Sequence, residues 1–190
     1  MSTALRRLLS SGSVALAALT LSGASVAHAQ GTGAATRPVS IGITGGLSIP
    51  TGDFGDFYSS GFNAGGLLEF SRPASPLAFR LEGEYQRFGI KDEVTVGDPG
   101  DLRVISGVAN VVYKFGGVMA RPYVLGGVGL FNVGITEGDG DPENEFGFNV
   151  GAGLELPLSG ITAFADIRYQ SIQTEGDAFN LVPIRVGIRF

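Results

Sequence analysis

The sequence predicts an all-β chain, an eight-stranded antiparallel up-and-down transmembrane β-barrel. Three observations carry that prediction. Eight segments alternate apolar with small or polar residues, the period-two pattern of a strand with two unlike faces. Their connections alternate between long, acidic, glycine-bearing loops and tight turns, as in barrels that cross an outer membrane with strands of about ten residues. The last segment puts Val182, Ile184, Val186, Ile188 and Phe190 on one wall and Pro183, Arg185, Gly187 and Arg189 on the other. Such a strand is stable where hydrocarbon meets the apolar wall and a polar lumen meets the guanidinium groups.

The 190 residues divide into a leader, a short tail and one domain. Residues 1–29 read as a cleaved signal peptide: Arg6 and Arg7 form the basic start, Val14 to Leu21 is mostly apolar, and Ala27-His28-Ala29 is a small-x-small cleavage site. Residues 30–39 read as a flexible N-terminal segment, and the barrel is expected over 40–190. No later run has the roughly 18 apolar residues that a membrane-spanning helix needs. The chain has no cysteine, which excludes disulfides, thiolate chemistry and lipid attachment at a cysteine. Removing the leader takes the basic count from 13 to 11 against 18 acids, a formal charge of −7. That balance disfavours nucleic acid, which calls for a basic surface.

The first strand is expected over Ser40 to Ile49, with Ile41, Ile43, Leu47 and Ile49 outward, followed by a loop over Pro50 to Ser60. The second, Gly61 to Ser71, sets Phe62, Ala64, Leu68 and Phe70 against Asn63, Leu67 and Glu69. Arg72-Pro73-Ala74-Ser75-Pro76 is a tight turn, since two prolines cannot continue a ladder. The third, Leu77 to Phe88, opposes Leu77, Phe79, Leu81 and Tyr85 to Arg80, Glu82, Glu84 and Gln86. Four consecutive long polar groups on one face require that face to be wet or mutually paired. After an acidic loop over Gly89 to Asp101, the fourth strand runs to Phe115, with Val111 and Tyr113 opposite Ser106, Asn110 and Lys114.

Glycines blur the facing of the fifth strand, Pro122 to Val133, and Tyr123, Leu125 and Phe131 are placed outward. Ile135 to Glu145 is the most acidic loop. The sixth strand, from Phe146, turns Phe148, Val150, Ala152, Leu154 and Leu156 outward against Asn149 and Glu155. Ser159-Gly160 turns the chain into the seventh strand, where Ala163, Ala165, Ile167 and Tyr169 oppose Phe164, Asp166, Arg168 and Gln170. Thr174 to Asn180 is the last loop.

The leader, the eight alternating segments, the run Asn110-Val111-Val112-Tyr113-Lys114-Phe115 and the terminal Ile188-Arg189-Phe190 together resemble the small outer-membrane β-barrel proteins of Gram-negative bacteria, similar to OmpX and the OmpA transmembrane domain. The resemblance covers about Ser40 to Phe190 and implies residence in the outer membrane of a Gram-negative bacterium. It implies lipid and lipopolysaccharide as surroundings. It also implies that Phe190 acts as an assembly signal, read with the last strand by the barrel-assembly machinery. The further domain that follows the barrel in OmpA is not expected here.

Parity places five acids, Glu69, Glu82, Glu84, Glu155 and Asp166, and five bases, Arg80, Lys114, Arg168, Arg185 and Arg189, on the inner face. Charges in a narrow barrel must pair, because lone desolvated ions are costly. A static ionic plug is favoured over a gated pore, since eight strands leave little bore. The other acids lie in the four long connections. Glu137-Gly138-Asp139-Gly140-Asp141 invites a calcium reading, but Pro142 and Phe148 stand where an EF-hand needs Gly and Glu. A solvated loop that resists aggregation is the expectation, with loose bridging by divalent cations at the surface as the alternative. Arg87 and Arg103 point outward near the loop ends of neighbouring strands, as a lipopolysaccharide phosphate contact or as strand ends clear of lipid.

Two aromatic girdles are expected, Phe70, Phe79, Tyr113, Phe115, Tyr123 and Phe190 near the turns, and Phe62, Tyr85, Phe131, Phe146, Phe148 and Tyr169 near the loops. The only histidine lies in the leader, so Ser-His-Asp or Cys-His catalysis and histidine-ligated metals are excluded, and no cofactor is implied. The expected function is a structural or surface-interaction barrel that is not an enzyme. A narrow porin-like pore for small solutes is the alternative.

Overall fold

The computed structural model describes residues 38–90, 101–136, 142–174 and 178–190. They contain β1 (Val39–Thr51), β2 (Gly61–Ser71), β3 (Leu77–Phe88), β4 (Leu102–Lys114), β5 (Arg121–Ile135), β6 (Glu143–Pro157), β7 (Thr162–Gln173) and β8 (Phe179–Arg189). Each strand pairs antiparallel with its neighbours in sequence, and β8 pairs with β1, closing a barrel. Closure leaves no edge, the condition for a sheet surrounded by lipid. The leader and residues 30–37 lie outside the described residues.

Side-chain alternation sets the register. The outward rows hold Ile41, Ile43 and Leu47 on β1, Phe79 and Leu81 on β3, Phe148 and Val150 on β6, and Ile184 and Val186 on β8, all exposed. Between them the inward residues are buried or half-buried. In water such an exposed apolar belt would be a liability, whereas in a bilayer it is the solvated surface.

The observed elements depart from the sequence reading at their ends. Val39, assigned to the flexible segment, opens β1: it pairs with Phe70, and the Pro38 carbonyl accepts from Ser71 N at 2.9 Å. A one-turn helix, α1 (Asp53–Phe57), stands in the first long connection, where a loop is expected. Gly52 at φ 66° turns the chain into it, a conformation that side chains disfavour. The hairpin of β5 and β6 runs further than expected, pairing Phe131 with Glu145, Asn132 with Asn144 and Val133 with Glu143. Its polar tip is legible as strand because Asn132 donates to Asn144 across it at 3.1 Å. Likewise β8 begins at Phe179 rather than after Asn180.

The fifth strand corrects an expectation outright. Tyr123, Leu125 and Phe131 point inward, at 1%, 4% and 0% exposure, while Val124, Val128 and Leu130 meet the outside. Both girdles therefore lose a member. Six of the remaining rings meet in pairs, Phe70 with Phe79 at 6.4 Å, Tyr113 edge-on to Phe115 at 5.1 Å, and Phe62 with Tyr85 at 6.0 Å between centroids. The physical reason lies on the next strand. Gly147 and Gly153 of β6 leave the space that Phe131 and Tyr123 occupy, and a β-carbon at either would collide with those rings.

Gly153→Val is accordingly expected to destabilise the barrel, since overpacking typically costs about 1–3 kcal/mol. Urea unfolding in lipid vesicles reads this directly. An unchanged midpoint would mean that the Tyr123 ring can leave its place.

Candidate functional site

The barrel interior is the candidate site. All ten inward charges predicted from parity come together there, in two groups. Nearer the turns, Glu69 faces Arg80 across the β2–β3 ladder. It accepts from Arg80 Nε and Nη2 at 2.9 and 2.7 Å and from Lys114 Nζ at 2.5 Å, and it lies 2.6 Å from Arg189 Nη1. Glu155 Oε1 lies 2.9 Å from the same Arg189 nitrogen and 3.1 Å from Lys114 Nζ. This group has two acids and three bases.

The second group has three acids and two bases. Arg168 grips Glu82 with two parallel bonds, at 2.5 and 2.8 Å, and reaches Asp166 at 3.1 Å. Arg185, directly across the β7–β8 ladder from Asp166, donates to Asp166 at 2.9 Å, to Glu84 at 2.7 Å and to Glu82 at 3.0 Å. Tyr123 Oη donates to Asp166 at 2.8 Å and Asn110 Nδ2 to Glu82 at 2.7 Å. Such charge-assisted, partly bidentate bonds are the strong kind.

Arg80 joins the groups. Its Nη1 stands 3.8 Å from Asp166 and 3.9 Å from Glu82, so the excess cation of one group neighbours the excess anion of the other. Its guanidinium also lies over the rings of Tyr123 and Phe164, 5.2 and 5.4 Å from their centroids, within cation–π range. The inward turn of Tyr123 thus has a use that the sequence reading missed.

Toward the loops the charges give way to amides. Gln86 donates to Gln170 at 3.2 Å and Asn63 to Ser48 at 3.0 Å. The side-chain oxygens of Asn63, Gln86 and Asn149 have no partner among the described residues. A cavity of about 10 Å³ beside Glu84, Ser106, Asn149 and Gln170 has room for about one water molecule. Beyond it lies an apolar layer: Phe88, Leu102, Val104, Phe131, Ile172 and Leu181, with Tyr58, Val133 and Phe179 packed against it, while Val108, opposite Glu82 and lining the cavity, joins the same cluster from the charged side. Partial burial raises the Tyr58 phenol above its ordinary pKa of 10.0. The sequence reading did not assemble this layer. The signal was present in parity, since Phe88 is two residues past Gln86 and Ile172 two past Gln170.

Arg87 and Arg103 stand opposite one another on β3 and β4. Arg87 pairs with Asp101 at 2.8 Å, with both side chains about two-fifths exposed, and Arg103 Nε is buried with no partner among the described residues. The calcium-like stretch Glu137 to Asp141 lies outside the described residues. Among the described residues no group of three His, Asp or Glu side chains converges as a metal site. Phe190 closes the seam: its amide donates to the Ile41 carbonyl at 2.8 Å and its carbonyl accepts from Ile41 N at 3.3 Å.

Solved barrels share this fold. Neisserial surface protein A superposes with a TM-score of 0.63 at 16% identity, over 80% of this chain and 96% of that one. The N-terminal β-barrel domain of Pseudomonas aeruginosa OprF and the attachment invasion locus protein Ail of Yersinia pestis each give 0.50, at 21% and 20% identity, over 80% of this chain and 97% of theirs. No curated protein sequence matches the chain. Residues 14–190 match the family described as the outer membrane protein beta-barrel domain. The chain belongs to that family, the outer-membrane β-barrels of the small OmpX- and OmpA-like kind.

Proposed function

We propose that this outer-membrane barrel is closed, and that it serves a structural or surface-interaction role rather than conducting solutes or catalysing a reaction. The observation that supports the reading is the lumen network, in which every inward carboxylate has a cationic partner and the ten charges sum to zero. Buried groups paired in this way exclude the mobile water and unpaired charge that a pore wall needs. The acidic connections then face the exterior of a Gram-negative cell after cleavage of the leader. There, divalent cations bridge them to neighbouring acids, and Arg87 and Arg103 meet lipopolysaccharide phosphates. The competing reading is a narrow pore for small solutes. Vesicles carrying the purified barrel should not swell when placed in isotonic arabinose or glycine. Swelling above that of lipid alone would replace the closed reading with the pore.

Assembly supplies a further expectation. Deleting Phe190 removes both hydrogen bonds to Ile41 and the last ring of the outward wall. In a bilayer an unpaired seam is costly, so the exported chain should remain unassembled and sensitive to periplasmic protease. Normal surface levels of the shortened chain would refute the role given to Phe190.

A further inference from the structure

We infer that the lumen is sealed twice, by two barriers in series that work by different physics. One is the charged network. The other is the apolar layer at the loop end, which excludes water rather than pairing charge. The inference rests on the closed-barrel reading and adds to it a second seal.

The apolar layer crosses the bore. Its buried members come from five strands around the circumference: Phe88 on β3, Leu102 and Val104 on β4, Phe131 on β5, Ile172 on β7 and Leu181 on β8. None of them offers a side-chain hydrogen bond. Phe88 and Phe131 are wholly buried, and Gly61 and Gly147 leave the room their rings fill. Below this layer stand the amides of Gln86, Gln170 and Asn149, and below those the arginines and carboxylates. An ion crossing the barrel must therefore cross both. At the charged layer it displaces formed ion pairs. At the apolar layer it loses its hydration with no replacement ligand, the condition under which a hydrophobic constriction stays dry.

Barriers in series give a specific pattern, because flux is limited by the tighter one. Freeing the charges alone hydrates the middle of the barrel and leaves the loop mouth dry. Wetting the mouth alone leaves the ion pairs shut. The space between the layers, where Ser106 lies opposite Phe131 and Glu84, then stays closed to the loop end even when the charged layer is broken.

Planar-bilayer recordings on four proteins test this: the unmodified barrel, a lumen variant carrying Arg80→Ala and Arg168→Ala, one cation from each charged group, a mouth variant carrying Val104→Thr, Ile172→Thr and Leu181→Asn, and the combination of the two variants. The heat-modifiable gel shift establishes that each is folded. Sustained current is expected only from the combination. Current through the lumen variant alone would overturn the second seal while leaving the closed reading of the native barrel standing, whereas current through the unmodified barrel would overturn that reading itself. A silent combination would also overturn the inference, since the layers named would not be the seals.

A second measurement does not depend on the mouth variant folding. The chain has no cysteine, so Ser106→Cys in the lumen-variant background gives a single label site. A charged, membrane-impermeant thiol reagent added on the loop side of oriented vesicles should leave it unmodified until the barrel is unfolded in urea. Modification from the loop side would show the mouth to be wet and end the proposal.

Discussion

Arg185→Ala is expected to be among the most damaging single substitutions in the barrel, lowering its stability by about 3–5 kcal/mol, the usual loss when one partner of a buried ion pair is removed. Arg185 is 2% exposed and donates to three carboxylates, Asp166, Glu84 and Glu82. Asp166 and Glu82 keep Arg168 as a partner after the change. Glu84 loses the cation that holds it at 2.7 Å. The damage should therefore be concentrated on Glu84, and Glu84→Gln in the same chain should restore part of the stability by removing the stranded charge. Urea midpoints of the two single variants and the double variant in lipid vesicles measure the coupling. Strictly additive losses would mean that the two side chains do not interact in the folded barrel.

The second large effect is on the opposite wall. Val150→Arg should destabilise the barrel in bilayers by about 2–4 kcal/mol, the cost of a cation near the midplane of a lipid-facing strand. Val150 is half exposed on the outward row of β6, with Phe146 and Phe148 toward the loops and Leu154 and Leu156 toward the turn. Its chain neighbour Asn149 points into the lumen, opposite Gly127 and Gln170. Asn149→Ser removes one amide whose oxygen has no described partner, and should cost much less. Comparable midpoint shifts for the two variants would reverse the facing of β6 and, with it, the assignment of the membrane surface.

Strand number, order and facing were legible because the pattern in most segments is redundant. In β3, Phe79, Leu81 and Tyr85 fix one wall while Arg80, Glu82 and Glu84 fix the other, so no single residue decides. The fifth strand lacks that redundancy. Gly126, Gly127 and Gly129 take no side in an apolar–polar alternation, and the aromatic rings of Tyr123 and Phe131 suit hydrocarbon as well as a packed interior. What decides their direction is the space left by Gly153 and Gly147 on another strand, information that appears only once the register is known.

The charged set was readable for a related reason. Ten charges on one parity in a narrow barrel have to meet, whatever their rotamers. Which charge meets which was not readable, because the strands tilt and side chains far apart in sequence, such as Glu82 and Arg185, cross the bore. The apolar layer was missed although its residues lie on the correct parity. Phe88, Val104 and Leu181 each look ordinary within their own strand and become a barrier only when five strands bring them to one level.

The closed lumen is tested most directly by single-channel recording of the unmodified barrel, purified, folded and inserted singly into a planar bilayer. With the charges paired and the loop mouth apolar, the membrane should show no steady conductance above bare lipid over the voltage range it withstands. Long-lived, uniform steps of current from the native protein, scaling with salt concentration, would contradict the account and make the barrel a pore.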